Sequence, residues 1–226
     1  MPFILNIDTA VKSASVCLAD GQNIVATAIS PSEKESAAWL HVAIQNLFQT
    51  HQINLQKIEA VAVSAGPGSY TGLRVGMATA KGLCYALSVP LITVSTLQMM
   101  AASALSFATP AQLLCPMIDA RRMEVFTALY DRSLKEVLPS TNMVLNETSF
   151  EDQLKENKIL FFGNGSEKAK TLINHVRASF VHIETTAENM VDLSNEKFAQ
   201  GQFSDIAYTE PFYGKEFHSP ISKKNY

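Results

Sequence analysis

The chain has 226 residues, enough to bury a sizeable core as one large domain or two small ones. Hydrophobic residues make up 47% but charged residues only 17%, below the roughly 25% usual in soluble domains, so part of the surface is expected to lie under another chain. A formal net charge of −3 argues against a protein that grips nucleic acid by itself.

The opening residues read as strands. "FILNID" (3–8) is a short apolar run, "SASVCLAD" (13–20) alternates with Ala14, Val16 and Leu18 on one face, and "NIVATAIS" (23–30) completes a hairpin or meander that Pro31 ends. A helix is expected from about Glu35 to His51. Leu40, Ile44, Leu47 and Phe48 form one apolar face, and Trp39, Val42 and Ala43 form a second. A strand at 58–65 leads through "AGPGSYTGLRVG" into a helix at about 71–87, then a strand at 90–94 and a helix at 95–107 with Ser95 as N-cap. "FATPAQ" is the best interdomain linker.

The second half begins again with strands, 113–120 and 124–131, joined by a tight "RRM" connection. After an irregular stretch come a helix at 149–157, a strand at 158–163, a helix at 166–175, a strand at 180–185 and a helix at 188–200. The tail from Tyr208 shows no usable period. Meanders followed by β–α alternation in both halves predict two α/β lobes with mixed sheets, 1–108 and 109–226, the last segment being a candidate to pack back on the first lobe.

Cys17, Cys84 and Cys115 each sit in an apolar stretch. Odd in number and widely spaced, they suggest buried thiols in a reducing compartment. The N-terminus has no signal-peptide pattern and no stretch approaches the ~20 apolar residues of a membrane span, so a cytoplasmic protein is expected.

Gly66, Gly68 and Gly72 follow a strand and open a helix, where free N–H groups and the helix dipole favour an anion. Their spacing fits neither a P-loop nor the dinucleotide fingerprint, and Ser69 lacks the flanking glycines of a hydrolase elbow. An anion cradle and a purely structural turn both remain open. Arg74 opposes the dipole in the first helical turn and therefore calls for a carboxylate or a ligand, with Asp8 one possible partner. Gly72, Gly76, Ala80 and Cys84, four apart, make a stripe of small residues. Helical glycine costs roughly 1 kcal/mol relative to alanine, so another backbone is expected close by, within this lobe or in another subunit.

Taken together, "NIDTA" (6–10), "GPGSYTGLRVGMATAKGL" (66–83), "VSTL" (94–97), "MIDAR" (117–121), "MEVF" (123–126) and "TEPFY" (209–213) resemble the TsaB (YeaZ) family, in order and over nearly the whole chain. The resemblance implies a two-lobed actin-like/Hsp70-like ATPase (ribonuclease H-like) fold. It implies a non-catalytic subunit that supports a TsaD-like catalytic partner, with a TsaE-like ATPase, in making N6-threonylcarbamoyladenosine at position 37 of tRNAs reading codons that begin with A. A homodimer is expected when the chain is alone, with tRNA held mainly by the partners and no membrane contact. No catalytic residue, metal or tightly bound cofactor is assigned to this chain; ATP/ADP and magnesium are expected in the assembled complex through the partners.

By the same resemblance, the partner interface is expected at Trp39, Leu40, Ala43, Phe48, Gly72, Gly76 and Ala80. A vestigial nucleotide site is expected at Asp8, Gly68, Ser69, Arg74 and Asp119. Nucleotide-binding relatives follow each lobe's aspartate with a glycine-bearing turn. Here Asp8 precedes "TAVKSASV" and Asp119 precedes "ARRMEVF", so a side chain obstructs the approach of phosphate. TsaD's His-x-x-x-His pair is missing among the five histidines. Many family members carry Tyr-Leu-Arg after the C-terminal Glu-Pro; this chain has Tyr213-Gly214-Lys215, and lysine does not reproduce a bidentate guanidinium contact. The competing reading is a small ATP-dependent phosphotransferase with Asp8 and Asp119 flanking magnesium and Arg74 on phosphate. A peptidase has neither a nucleophile elbow nor a metal pair to support it.

Overall fold

Two five-stranded mixed sheets carry the chain, and a computed structural model describes residues 1–11, 13–32 and 36–214 of it. The first sheet holds β1 (Phe3–Asp8), β2 (Ser15–Asp20), β3 (Asn23–Ile29), β4 (Ala60–Ser64) and β5 (Leu91–Val94) in the order β3-β2-β1-β4-β5. The second holds β6 (Gln112–Asp119), β7 (Glu124–Tyr130), β8 (Glu136–Val144), β9 (Lys158–Phe162) and β10 (Ala178–Phe180) in the order β10-β9-β6-β7-β8. Each sheet puts its first strand in the middle, with an antiparallel meander on one side and two parallel strands on the other. The two halves therefore repeat one topology, the two-lobed α/β architecture that the resemblance implied.

Helices α1 (Ser36–Thr50) and α2 (Tyr70–Leu87) cover one face of the first sheet. Leu5, Ile7, Val16 and Leu18 meet Leu40, Ile44, Leu47, Met77 and Cys84 there, all buried. The opposite face packs on α3 (Thr96–Ser103) through Met99 and on α6 (Val191–Ala199) through Leu193. Helix α3 is buried between the two sheets on two of its sides. Its Leu97, Met100 and Ala101 pack on Leu114, Phe126 and Phe162 of the second sheet. That sheet's outer face takes only two short helices, α4 (Glu151–Glu156) and α5 (Ser166–Leu172), through Leu154 and Ala169.

The C-terminal segment returns to the first lobe. Ala187 N–H donates to Ser15 Oγ (2.9 Å), Asn195 Nδ2 to Gly21 O (2.8 Å), Ser204 N–H to Leu91 O (2.8 Å) and Phe212 N–H to Ala65 O (2.7 Å). By contact, residues from Ala187 to Phe212 belong with the first sheet.

Several elements differ from their sequence-based expectation. Residues 136–144, expected to be irregular, form β8, an exposed edge strand that tolerates Pro139 because only one side of it is paired. The strand expected at 180–185 ends at Phe180. The helix expected at 95–107 stops at Ser103, although Ser95 does cap it, accepting from Gln98 N–H. The helix at 188–200 opens as a 3-10 turn, Ala187–Met190, before α6. The expected start of the first helix, Glu35, and Lys215 lie outside the described residues. Among the described residues, no helix is long and apolar enough to cross a membrane.

Candidate functional site

The glycine loop is a junction of four backbone segments, and its glycines are required by this chain's own atoms. Ser69 caps α2, its hydroxyl accepting from Gly72 N–H (3.2 Å), while Ser69 N–H donates to Ala10 O (2.8 Å) and Leu73 N–H to Ser69 O (2.8 Å). A Cβ on Gly68 would run into the Ala10 carbonyl, and one on Gly72 into the Thr9 carbonyl. One on Gly76 would strike the Thr9 hydroxyl, which itself donates to Gly72 O (2.7 Å). Gly66, at φ +109°, meets the Phe212 carbonyl of the returning tail, and its N–H donates to Thr96 Oγ1 at the start of α3. The turn after β1 thus occupies the space in front of α2, and an anion would have to displace it.

The two candidate aspartates occupy equivalent places, the last residues of β1 and β6, in opposite environments. Asp8 is completely buried. Its Oδ1 accepts from Ser64 Oγ (2.6 Å) and Ala10 N–H (3.0 Å), while Oδ2 has no hydrogen-bond partner. Burial pushes its carboxyl up to about 6 against the pull of those donors. Asp119 is exposed enough to be solvated and bonds Lys168 Nζ (2.6 Å) and Arg121 N–H (2.6 Å). Partial burial works against its charge, but the Lys168 hydrogen bond, the Arg121 N–H and the Lys168 charge together hold its carboxyl below the usual value.

Arg74 does not reach Asp8, which the β1–β2 turn covers. It turns outward instead, donating to Tyr70 Oη at 3.0 Å with its guanidinium 5.5 Å from the Tyr70 ring centroid. The pairing expected for Arg74 is thereby corrected: the basic residue at the head of the helix is held by an aromatic ring four residues back. Among the described residues, no group of three His, Cys, Asp or Glu side chains is placed to hold a metal ion. At the expected nucleotide site, Ser69 N–H is taken by Ala10 O, and the first aspartate, Asp8, is sealed from solvent. The three cysteines are free and buried, and burial pushes Cys17 and Cys84 up to about 11 and Cys115 to about 12, which keeps them as unreactive thiols.

The expected interface set also needs correction. Leu40, Ala43 and Phe48 are buried in the first lobe's core, Gly72 and Gly76 pack against Thr9, and Ala80 is buried beside them. Trp39 is half-buried against the same core. A small-residue stripe signals close approach, and the approaching group here is the β1–β2 turn.

What α1 and α2 offer outward is a different set. A shallow apolar groove of ≈ 430 Å³ runs between them, lined by His41, Val75, Ala78, Thr79, Gly82 and Leu83. Val42, which follows groove-lining His41 in α1, is 54% exposed. Gly82 stands in the middle of α2, yet an added Cβ would meet nothing within 4 Å. Its helix-propensity cost of roughly 1 kcal/mol is therefore not explained by any described residue. Helix α1 contains no charged residue at all, and α2 contains no carboxylate. Sequence reasoning missed Gly82 because it lies off the four-residue stripe, but a glycine inside an 18-residue helix was the available signal.

Comparison with known proteins adds the following. The family model described as "TsaD: tRNA N6-adenosine threonylcarbamoyltransferase" matches residues 23–209. The tRNA threonylcarbamoyladenosine biosynthesis protein TsaB of Bacillus subtilis (strain 168) is 31% identical over 189 residues, 82% of this chain and 81% of the relative. Its namesake in Escherichia coli (strain K12) is 30% identical over 218 residues, 93% of each chain. Among solved structures, YeaZ from Pseudomonas aeruginosa has a TM-score of 0.80 at 23% identity, covering 94% of this chain and 100% of that one, a likeness of fold.

Proposed function

The chain belongs to the TsaB family, and we propose that it serves as a non-catalytic, partner-binding subunit of the assembly that forms N6-threonylcarbamoyladenosine in tRNA. The observation that carries this reading is the outer face of α1 and α2: an apolar groove without carboxylates, with a helical glycine whose missing side chain no described residue requires. Depletion of charge at the centre of an exposed patch is the mark of a protein interface. A glycine at such a place lets a second helix backbone approach.

The occupant is a TsaD-family protein, whose family model matches most of this chain and so points to a related lobe with related helices. In the absence of that partner, two copies of this chain pair through the same face. The TsaE-like ATPase joins through the complex, and ATP/ADP and magnesium enter with the partners, because Asp8 and the α2 N-terminus are engaged by this chain's own turn. The net charge of −3 assigns most phosphate contacts to the partners as well. Free buried thiols accord with a cytoplasmic setting. The phosphotransferase alternative is disfavoured by an Asp8 sealed from solvent and an Arg74 turned outward to Tyr70.

The test is the threonylcarbamoyladenosine content of bulk tRNA after the protein is depleted from its own cells. A collapse is expected, restored by the wild-type chain and by Asp8→Asn but not by Val42→Asp. Unchanged modification after depletion would refute the reading.

A further inference from the structure

Beside the groove, α2 has a second outward face with different chemistry. Tyr70, Arg74, Lys81 and Tyr85 fall within an arc of roughly 60° at the helical 100° per residue, on the side turned to the returning C-terminal segment. Tyr85 is 83% exposed and Tyr70 45%. The Tyr213 ring lies 4.7 Å from that of Tyr70, tilted by 38°, so the Arg74 guanidinium, Tyr70 and Tyr213 form one cation–ring–ring cluster. Further along, Lys81 Nζ donates to Ala207 O (3.3 Å), so the backbone next to Tyr208, itself 85% exposed, borders the stripe. From Tyr70 to Tyr85 the stripe is ~22 Å long at 1.5 Å rise per residue.

Rings in water next to cations are the elements of a platform for unpaired nucleotides. Flat aromatic faces stack on bases of any identity, and cations between them meet the phosphates. A double helix would not use such rings, because its bases are already stacked. The charge distribution favours the same ligand: in a chain of net −3, both helices of this surface lack carboxylates, and the cations of α2 stand on this face and not in the groove. The carboxylates nearest along the tail are Asp205, which accepts from the Ala207 and Tyr208 N–H groups, and exposed Glu210. They confine an anionic ligand to the helix side of the stripe.

We propose that this stripe binds the unpaired nucleotides of an RNA loop, with bases stacking on Tyr85, Tyr208 and the Tyr70–Tyr213 pair and with Arg74 and Lys81 facing phosphates. RNA as the natural ligand rests on the tRNA-modifying role above; the stacking site itself rests on the rings and cations.

The experiment is fluorescence anisotropy of the full chain with a labelled RNA stem-loop, compared with a blunt duplex of the same stem. The wild-type chain, Tyr85→Ala/Tyr208→Ala, Arg74→Gln and the α1 variant Val42→Asp are compared, with thermal melting of each as a check on folding. The stem-loop should bind about tenfold tighter than the duplex, and the double tyrosine variant should lose at least about tenfold for the stem-loop alone. Arg74→Gln should lower the salt dependence by about one ion, and Val42→Asp should bind RNA as the wild type does. Equal binding of stem-loop and duplex, no binding of either, or stem-loop binding indifferent to the tyrosines would overturn the proposal. If depletion abolishes tRNA modification while these variants bind alike, the stacking site fails alone. If tyrosine-dependent stem-loop binding holds while depletion leaves modification unchanged, the site stands and the pathway reading fails.

Discussion

The two lobes share one strand order and differ in everything laid over it. In the first, helices of 15 and 18 residues cover the outer face of the sheet; in the second, the corresponding helices have 6 and 7. The first central strand ends in a sealed aspartate whose carboxyl is pushed up to about 6, the second in a solvated one held down by Lys168. A duplicated sheet is therefore a scaffold, and the surface is made by the helical layer. The long layer of the first lobe uses its inner glycines for its own packing and leaves the groove on its outer side free of Asp, Glu, Lys and Arg. Such a division suits a lobe that both supports and docks.

The largest effect should come from breaking the inner side of that layer. Gly72→Val puts a branched Cβ against the Thr9 carbonyl and should lower unfolding free energy by about 3 kcal/mol or more, read from the urea midpoint. The same holds in kind for Gly76, whose environment makes a bulky replacement a lesion of the fold and not a clean probe of the interface.

Next comes the buried aspartate. Because its folded carboxyl titrates at about 6, above the ordinary 3.8, the stability it contributes is full below about pH 4 and is lost as pH rises through 6. Asp8→Asn cannot titrate, so the difference between the two stability curves should grow by roughly 2 kcal/mol from pH 4 to 7, with the variant gaining on the wild type. Parallel curves would contradict the sealed environment. In the second lobe the sign reverses: Asp119 contributes above its lowered value and loses the contribution as pH falls through it.

On the outer side, Gly82→Ala should stabilise the isolated chain by about 1 kcal/mol, since an alanine methyl there meets nothing; differential scanning calorimetry reads it directly. The smallest effect belongs to the exposed pair of the second lobe. Lys168→Ala should cost only about 0.5 kcal/mol, because water and salt screen a partner as exposed as Asp119, and chemical denaturation at two salt concentrations resolves it.

Most of the fold was legible in the sequence because its central strands carry a clear period and its meanders end at turn residues. Edge strand β8 was not, since half-exposed residues around Pro139 carry neither alternation nor a continuous apolar run. The site was legible only in part. The glycine loop and its aspartate announce themselves, but a stripe of small residues reads alike whether Thr9 or another chain approaches it, and only the three-dimensional position of Thr9 decides. Arg74 misled for a related reason: the dipole argument demands a partner but does not say that a tyrosine ring one turn back supplies it. Gly82, without a pattern around it, carried the more specific signal.

The most direct test of the account is calorimetric titration of the purified TsaD-family partner into the Gly82→Trp chain. A Cβ added at Gly82 meets no described atom within 4 Å and the position opens on the groove, so the variant should fold, with thermal melting as the check, while its affinity for the partner falls by a hundredfold or more, on the order of 3 kcal/mol. Wild-type affinity in a folded Gly82→Trp chain would mean that the groove between α1 and α2 is not where the partner sits.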